Sequence, residues 1–247
     1  MPLLDHLREL RRRILLATVG VVIGAVVGWL VYTPLFEALQ KPILDLADRR
    51  GTTALVNFAG VAASLDIQIK VSLFAGVILS SPWWIYQLWA FIAPGLTHRE
   101  KRYTLGFVAA AVPLFLAGAA IAWLMLPKAV AILTGFTPPG AGNIIDAQTY
   151  LTFVMQMVLA FGLAFLLPVV MVGLTLAGLV RAATWLAGWR WAVMGSAVFA
   201  AVATPTSDAL SMFILMVPIV VLYFAAIGVG MLADHRRDAR LAAEGLR

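Results

Sequence analysis

Residues 82–102 read PWWIYQLWAFIAPGLTHREKR, from Pro82 to Arg102. They close an uncharged run that begins at Val71 and is long enough to cross a bilayer. Trp83, Trp84, Tyr86 and Trp89 fall where such a helix would leave the membrane, and rings with one apolar and one wet side favour that depth. Pro94 and Gly95 then stop the helix, because proline restricts its predecessor and glycine accepts turn geometry. One carboxylate, Glu100, follows among His98, Arg99, Lys101 and Arg102. An aromatic belt followed by a solvated charged loop accounts for these residue types without any further role.

The rest of the chain agrees with a membrane setting. Of 247 residues, 62% are hydrophobic and only 12% are charged, with a mean hydropathy of +0.95. A polytopic membrane protein has this composition and a soluble domain does not. The net charge of +6 gathers at the ends of apolar runs, which is an orientation signal and not a nucleic-acid groove. The absence of cysteine excludes disulfides, thiolate metal sites and a cysteine nucleophile. His6, His98 and His235 lie in separate segments without ligand spacing, and no H-E-x-x-H, G-x-S-x-G or P-loop motif occurs. The expectation is therefore a protein that is not an enzyme and needs no cofactor or metal. The first apolar run is as long as a full span and no A-x-A-like site follows it, so it is not read as a cleaved leader.

Taken in order, residues 1–13 form an amphipathic segment, with Leu3, Leu7, Leu10 and Ile14 on one stripe. Within it, Glu9 and Arg13 have the spacing of a helical ion pair. Spans are expected at about 14–33, 69–91, 103–126, 149–178, 191–203 and 209–231, followed by a charged tail, 234–247, expected to fray. The fold class is thus an all-α integral membrane protein with six transmembrane helices, the last two short, and several kinked by proline. Gly20, Gly24 and Gly28 give the first span a face for close helix contact. The polar stretch 34–68 is expected to carry short surface helices, broken early at Lys41-Pro42, and Asp66 and Lys70 pair at the mouth of the second span. Residues 127–148 read as a loop. Gln156, the single amide in the fourth span, is expected to hydrogen-bond a neighbouring helix. Residues 191–203 cover only about 20 Å of a roughly 30 Å hydrocarbon core. Six spans put both termini on one side. That side carries thirteen of the 18 Lys and Arg residues, so both termini are expected in the cytoplasm.

Several of these residues resemble a known family. His6-Leu7-x-Glu9-Leu10-Arg11-x-Arg13 is one motif, and Tyr86-Gln87-x-Trp89-x-Phe91-x-x-Pro94-Gly95-Leu96 with Glu100-Lys101-Arg102 is another. Lys41-Pro42, Tyr150-Leu151-x-Phe153-Val154-Met155 and Thr204-Pro205 with Asp208 add to them. Together, from about residue 4 to 233, they resemble TatC, the polytopic subunit of the twin-arginine protein translocase. The resemblance implies a protein of the bacterial cytoplasmic membrane. It implies binding of twin-arginine signal peptides of folded proteins at the cytoplasmic face and recruitment of TatA-like and TatB-like single-span partners. Transport is then driven by the proton-motive force. It also implies contact with membrane lipid, no nucleic acid, and compatibility with a homo-oligomer inside the complex. The family's peptide-recognition positions fall on Glu9, Arg11, Phe91 and Glu100. Pro42, Pro94, Gln156 and Asp208 are carried as structural or assembly positions, Asp208 with one extra residue in its turn. One departure stands out: the family's fourth-span glutamate, just before its proline, is Leu166 here. The alternative classes are a small-solute secondary transporter, which would show an internal repeat with broken helices, and a haem-handling membrane protein, suggested by the tryptophans alone.

The orientation can be read with thiol chemistry, since the chain has no cysteine of its own. Thr52→Cys and Gly140→Cys are expected to react with an impermeant reagent on intact cells, and Ala243→Cys is not. The reverse pattern overturns the expected topology.

Overall fold

The computed structural model describes the backbone of residues 3–50, 55–58, 60–92, 101–135, 144–176, 178, 180–203 and 209–243. Among these residues the elements are almost all helical. They are α1 (Leu3–Leu30), α2 (Tyr32–Arg50), α3 (Ala63–Leu79), α4 (Ser81–Ile92), α5 (Lys101–Thr134), α6 (Ala147–Leu176), α7 (Ala182–Ala187), α8 (Trp189–Ala203) and α9 (Ala209–Ala243). Four helical stretches are long and apolar enough to cross a membrane: Asp5–Leu30, Gly106–Ile132, Ala147–Leu176 and Met212–Ala239. Helices α3 and α4 together make a fifth such stretch, bent by 63°, and α8 is a shorter apolar helix of 15 residues. Two three-residue strands, β1 (Leu55–Asn57) and β2 (Ile144–Asp146), pair in parallel with Val56 opposite Ile145. Nothing in the residue pattern announced that pair.

Helix α6 is the centre of the packing. Leu151, Val154, Val158 and Phe161 along it are buried with Leu39 of α2, Ile67 and Val71 of α3, Leu126 of α5 and Leu215 of α9. Helix α1 lies outside this core and touches α3 and α4. Its outward residues, including Val19, Ile23 and Val26, are exposed, as suits a helix whose other neighbour is lipid.

The glycine face of α1 is spent inside the molecule. A Cβ built on Gly24 would lie 2.8 Å from the Gly76 carbonyl oxygen, and one on Gly28 would lie 2.7 Å from that of Ser72. From the other side, a Cβ on Gly76 would lie 2.5 Å from the Val21 oxygen and 2.7 Å from the Ala25 nitrogen. The two backbones touch directly, so dispersion is gained where hydrophobic driving force is absent. These glycines therefore cannot also serve a partner helix.

Several expectations from the sequence are corrected. Lys41-Pro42 does not break its segment: Pro42 is buried inside α2, next to the buried Ile43. Residues 127–134 continue α5 through Pro127 where a loop was expected, because Ala129 and Val130 are buried against the core. Packing there outweighs the hydrogen bond that the proline removes. The tail expected to fray instead continues α9 to Ala243. At α1 the amphipathic residues and the first apolar run form one helix.

The second apolar run does not cross as one rod. It bends at Ser80, between α3 and α4. Ser80 Oγ donates to the Gly76 oxygen at 2.6 Å, and Trp84 Nε1 donates to the Val77 oxygen at 2.9 Å. The Ser80 N–H also bonds the Gly76 oxygen, at 3.0 Å. The two side chains thus add donors at the end of α3, where Pro82, with no N–H, cannot continue the ladder. The bend also redirects the aromatics. Trp83 and Tyr86 are exposed, as a belt requires. Trp84 meets Phe115 edge-on, and Trp89, 5% exposed, stacks on Phe107 at 3.5 Å between ring centroids. Half of the expected belt is therefore core.

Gly76→Val is expected to lower stability by about 1–3 kcal/mol, since its new atoms meet backbone that cannot rotate away. Gly228→Ala, with nothing within 4 Å of its added Cβ, is expected to change nothing. Thermal unfolding of both variants in detergent checks the contrast, and equal melting temperatures would contradict the close approach.

Candidate functional site

The amino-terminal end of α1 runs along the carboxyl-terminal half of α4. His6, Glu9 and Arg13 recur at helical spacing and so share one face of α1. On α4, Trp83, Gln87 and Phe91 recur every four residues and share another. The two faces meet in antiparallel order. Trp83 Nε1 donates to the Leu16 oxygen at 2.8 Å. Arg13 Nη1 donates to Gln87 Oε1 at 2.9 Å. The His6 ring stacks on Phe91 with centroids 4.6 Å apart and planes 21° apart.

Glu9 sits in the middle of this seam. Its Oε1 accepts from Arg13 Nε at 2.7 Å, with the two side chains 31% and 25% exposed. The helical ion pair read from the sequence is thus present, and it is better anchored than spacing alone could say. Gln87 is 2% exposed and fixes the far side of the same guanidinium. A partly dry carboxylate with a planar aromatic nearby can bind a guanidinium through paired N–H donors and stacking.

The sequence-derived positions separate into groups. Glu9 and Phe91 are brought onto one seam. Arg11 is exposed and lies on α1 away from the Glu9 face. Pro42 is buried in α2, near the Leu39 carbonyl that accepts from the Tyr150 hydroxyl at 3.3 Å. Pro94, Glu100 and Asp208 lie outside the described residues. Gln156 differs from expectation: its Oε1 is buried and has no hydrogen-bond partner among the described residues. Leu166, where the glutamate of the resembled family would stand, is 7% exposed and packs with Ile85, Ala111 and Phe115. That position is filled by core. Arg13 and Gln87 were not singled out as site residues. The signal for Gln87 was a lone amide in an apolar helix, which gains meaning only when α1 is laid against it.

Other polar contacts are structural. Asp66 Oδ2 accepts from Lys70 Nζ at 2.7 Å, as expected, and also from Gln148 Nε2 at 2.6 Å, tying α3 to the start of α6. Asp146 Oδ2 caps α6 by accepting from the Thr149 N–H at 2.8 Å. Asp234 Oδ2 of α9 accepts from the Ala182 N–H at the start of α7 at 2.8 Å. Among the described residues, no group of three His, Cys, Asp or Glu side chains could hold a metal ion.

Comparison with known proteins agrees over the whole chain. The family model described as TatC, Sec-independent protein translocase protein, matches residues 5–218. The Sec-independent protein translocase protein TatC of Xylanimonas cellulosilytica is 53% identical over 242 residues, covering 98% of this chain and 88% of that protein. That of Rothia mucilaginosa is 40% identical over 243 residues, covering 98% and 83%. A crystal structure of the twin-arginine translocase receptor TatC superposes with a TM-score of 0.82 at 32% identity, covering 93% of this chain and 99% of that one. In sequence and in fold, the chain belongs to the TatC family of Sec-independent protein translocase proteins.

Proposed function

We propose that the chain is the signal-peptide receptor of a twin-arginine translocase in the bacterial cytoplasmic membrane, with Glu9 and Glu100 as the carboxylates that take the arginine pair. The observation that carries this reading is the α1–α4 seam, where Arg13 joins Glu9 to Gln87 and His6 stacks on Phe91 at the amino-terminal end of α1. The solved relative is described as a twin-arginine translocase receptor, which supports the same role. The receptor face is cytoplasmic and the chain spans six times, with the bent α3–α4 pair as one crossing and α8 as a thin one. Arg11, exposed on the side of α1 away from Glu9, meets the peptide outside the seam, and Phe91 offers a ring to the ligand.

The chemistry follows from guanidinium geometry. Arginine stays charged and donates through a planar fork, while lysine is a hydrated point charge. Glu9 lies among Arg8, Arg11, Arg12 and Arg13, so long-range attraction toward an arriving arginine pair is weak. Recognition therefore depends on short contacts, and salt screens the rest beyond about 8 Å. The apolar part of the peptide lies along an exposed apolar helix face nearby. TatA-like and TatB-like partners then join and proton-motive force moves the folded cargo. With Leu166 packed between helices, a membrane-buried carboxylate is not the recruiting contact here. Gln156 holds a buried oxygen without a hydrogen-bond partner among the described residues, so a partner span reaches it only if the packing around α6 opens.

Glu100→Gln is expected to abolish peptide binding and Glu9→Gln to weaken it, at a cost of about 2–5 kcal/mol for a partly desolvated charge pair. Neither should lower the amount of folded protein; at position 9 glutamine still accepts from Arg13. Crosslinking of a labelled twin-arginine peptide to membranes at equal protein level measures this. Crosslinking that survives in the Glu9→Gln, Glu100→Gln double variant would remove both carboxylates from the site.

A further inference from the structure

Glu9 is already occupied by an arginine of the chain itself. Arg13 Nε donates to Glu9 Oε1 at 2.7 Å, and Nη1 of the same guanidinium donates to Gln87 Oε1 at 2.9 Å. An ordinary surface pair at this spacing is loose, because two long side chains seldom hold one geometry. This one is moored. Gln87 is buried in α4, a different helix from the one that carries the pair, so the guanidinium is fixed from both sides. It also uses on Glu9 the donor chemistry that an arginine ligand would use.

We propose that Arg13 is a latch, an internal stand-in for the ligand's arginine that covers Glu9 in the free protein and is displaced when a peptide arginine binds. This rests on the reading of Glu9 as an arginine-binding carboxylate. The latch sharpens selectivity. A ligand must replace a directed N–H to oxygen bond as well as a charge, which a guanidinium does and an ammonium does poorly. Once displaced from Glu9, Arg13 keeps its bond to Gln87. The α1–α4 seam thus stays closed while the site is open, and the latch returns when the peptide leaves. Binding at Glu9 is then an exchange of one ion pair for another. Salt weakens both pairs alike, so the salt dependence of this step is shallow.

The test uses the full-length chain in lipid nanodiscs and a fluorescent peptide carrying Arg-Arg or Lys-Lys, titrated by anisotropy at low and high salt. Arg13→Gln is expected to tighten Arg-Arg binding by about three- to tenfold, the range of a modest ion pair. It should tighten Lys-Lys binding more, so that discrimination falls. It should also steepen the salt dependence, because binding now creates a pair where it had exchanged one. Arg13→Lys, which keeps the charge and loses the fork, is expected to fall between the two and carries the same test if Arg13→Gln does not fold. No gain in affinity, or a gain with an unchanged salt slope, overturns the latch when Glu9→Gln still loses binding. If Glu9→Gln binds like the parent, the receptor reading of Glu9 fails and the latch fails with it.

Discussion

A backbone inside a membrane has no water to satisfy its polar groups, so any break in a spanning helix must be mended by the protein. The bend at Ser80 is such a break, and much of the molecule follows from how it is mended. Ser80 Oγ joins the Ser80 N–H on the Gly76 carbonyl, Trp84 Nε1 reaches the Val77 carbonyl, and Pro82 in the first turn of α4 follows a new direction. The 63° change of direction turns Trp84 and Trp89 into the core and sends the other face of α4 along α1.

The bend works together with the glycine contact between α1 and α3. Gly24 and Gly76 let the two backbones touch, which fixes α1 laterally. Trp83, next to Gly20, then donates to the Leu16 oxygen and sets the height of α4 against α1. Those constraints decide that Arg13, and not Arg11 or Arg12, meets Gln87. A guanidinium bond of this kind depends on position to within a few tenths of an ångström. The receptor chemistry proposed for Glu9 therefore rests on apolar packing several turns away.

The opposite end of the molecule is organised by simpler means. Asp66 gathers Lys70 and Gln148, Asp146 caps α6, and two short strands join the segment after α2 to the segment before α6. These contacts hold the ends of α3 and α6, while α6 itself is fixed by burial on most of its faces. Leu166 belongs to that fixed region, which is why its side chain reads as packing and not as a docking group.

The sequence by itself determined the class of the protein. Long uncharged runs require helices that cross a bilayer, and the glycines at 20, 24 and 28 require a close neighbour, because these follow from local periodicity and from the cost of bare backbone in lipid. The pairing of Glu9 with Arg13 and of Asp66 with Lys70 was legible for the same reason, since both lie one turn apart on a helix. Which aromatics of residues 82–91 face lipid and which face core was not legible. Belt and core use the same residue types, and only the direction of α4 separates them. The continuation of helix through Pro42 and Pro127 was likewise hidden, because burial of Leu39, Ile43, Ala129 and Val130 outweighs a local penalty that the sequence displays alone. The bond from Arg13 to Gln87 joins residues 74 apart in the chain, and only the tertiary structure brings them within 2.9 Å.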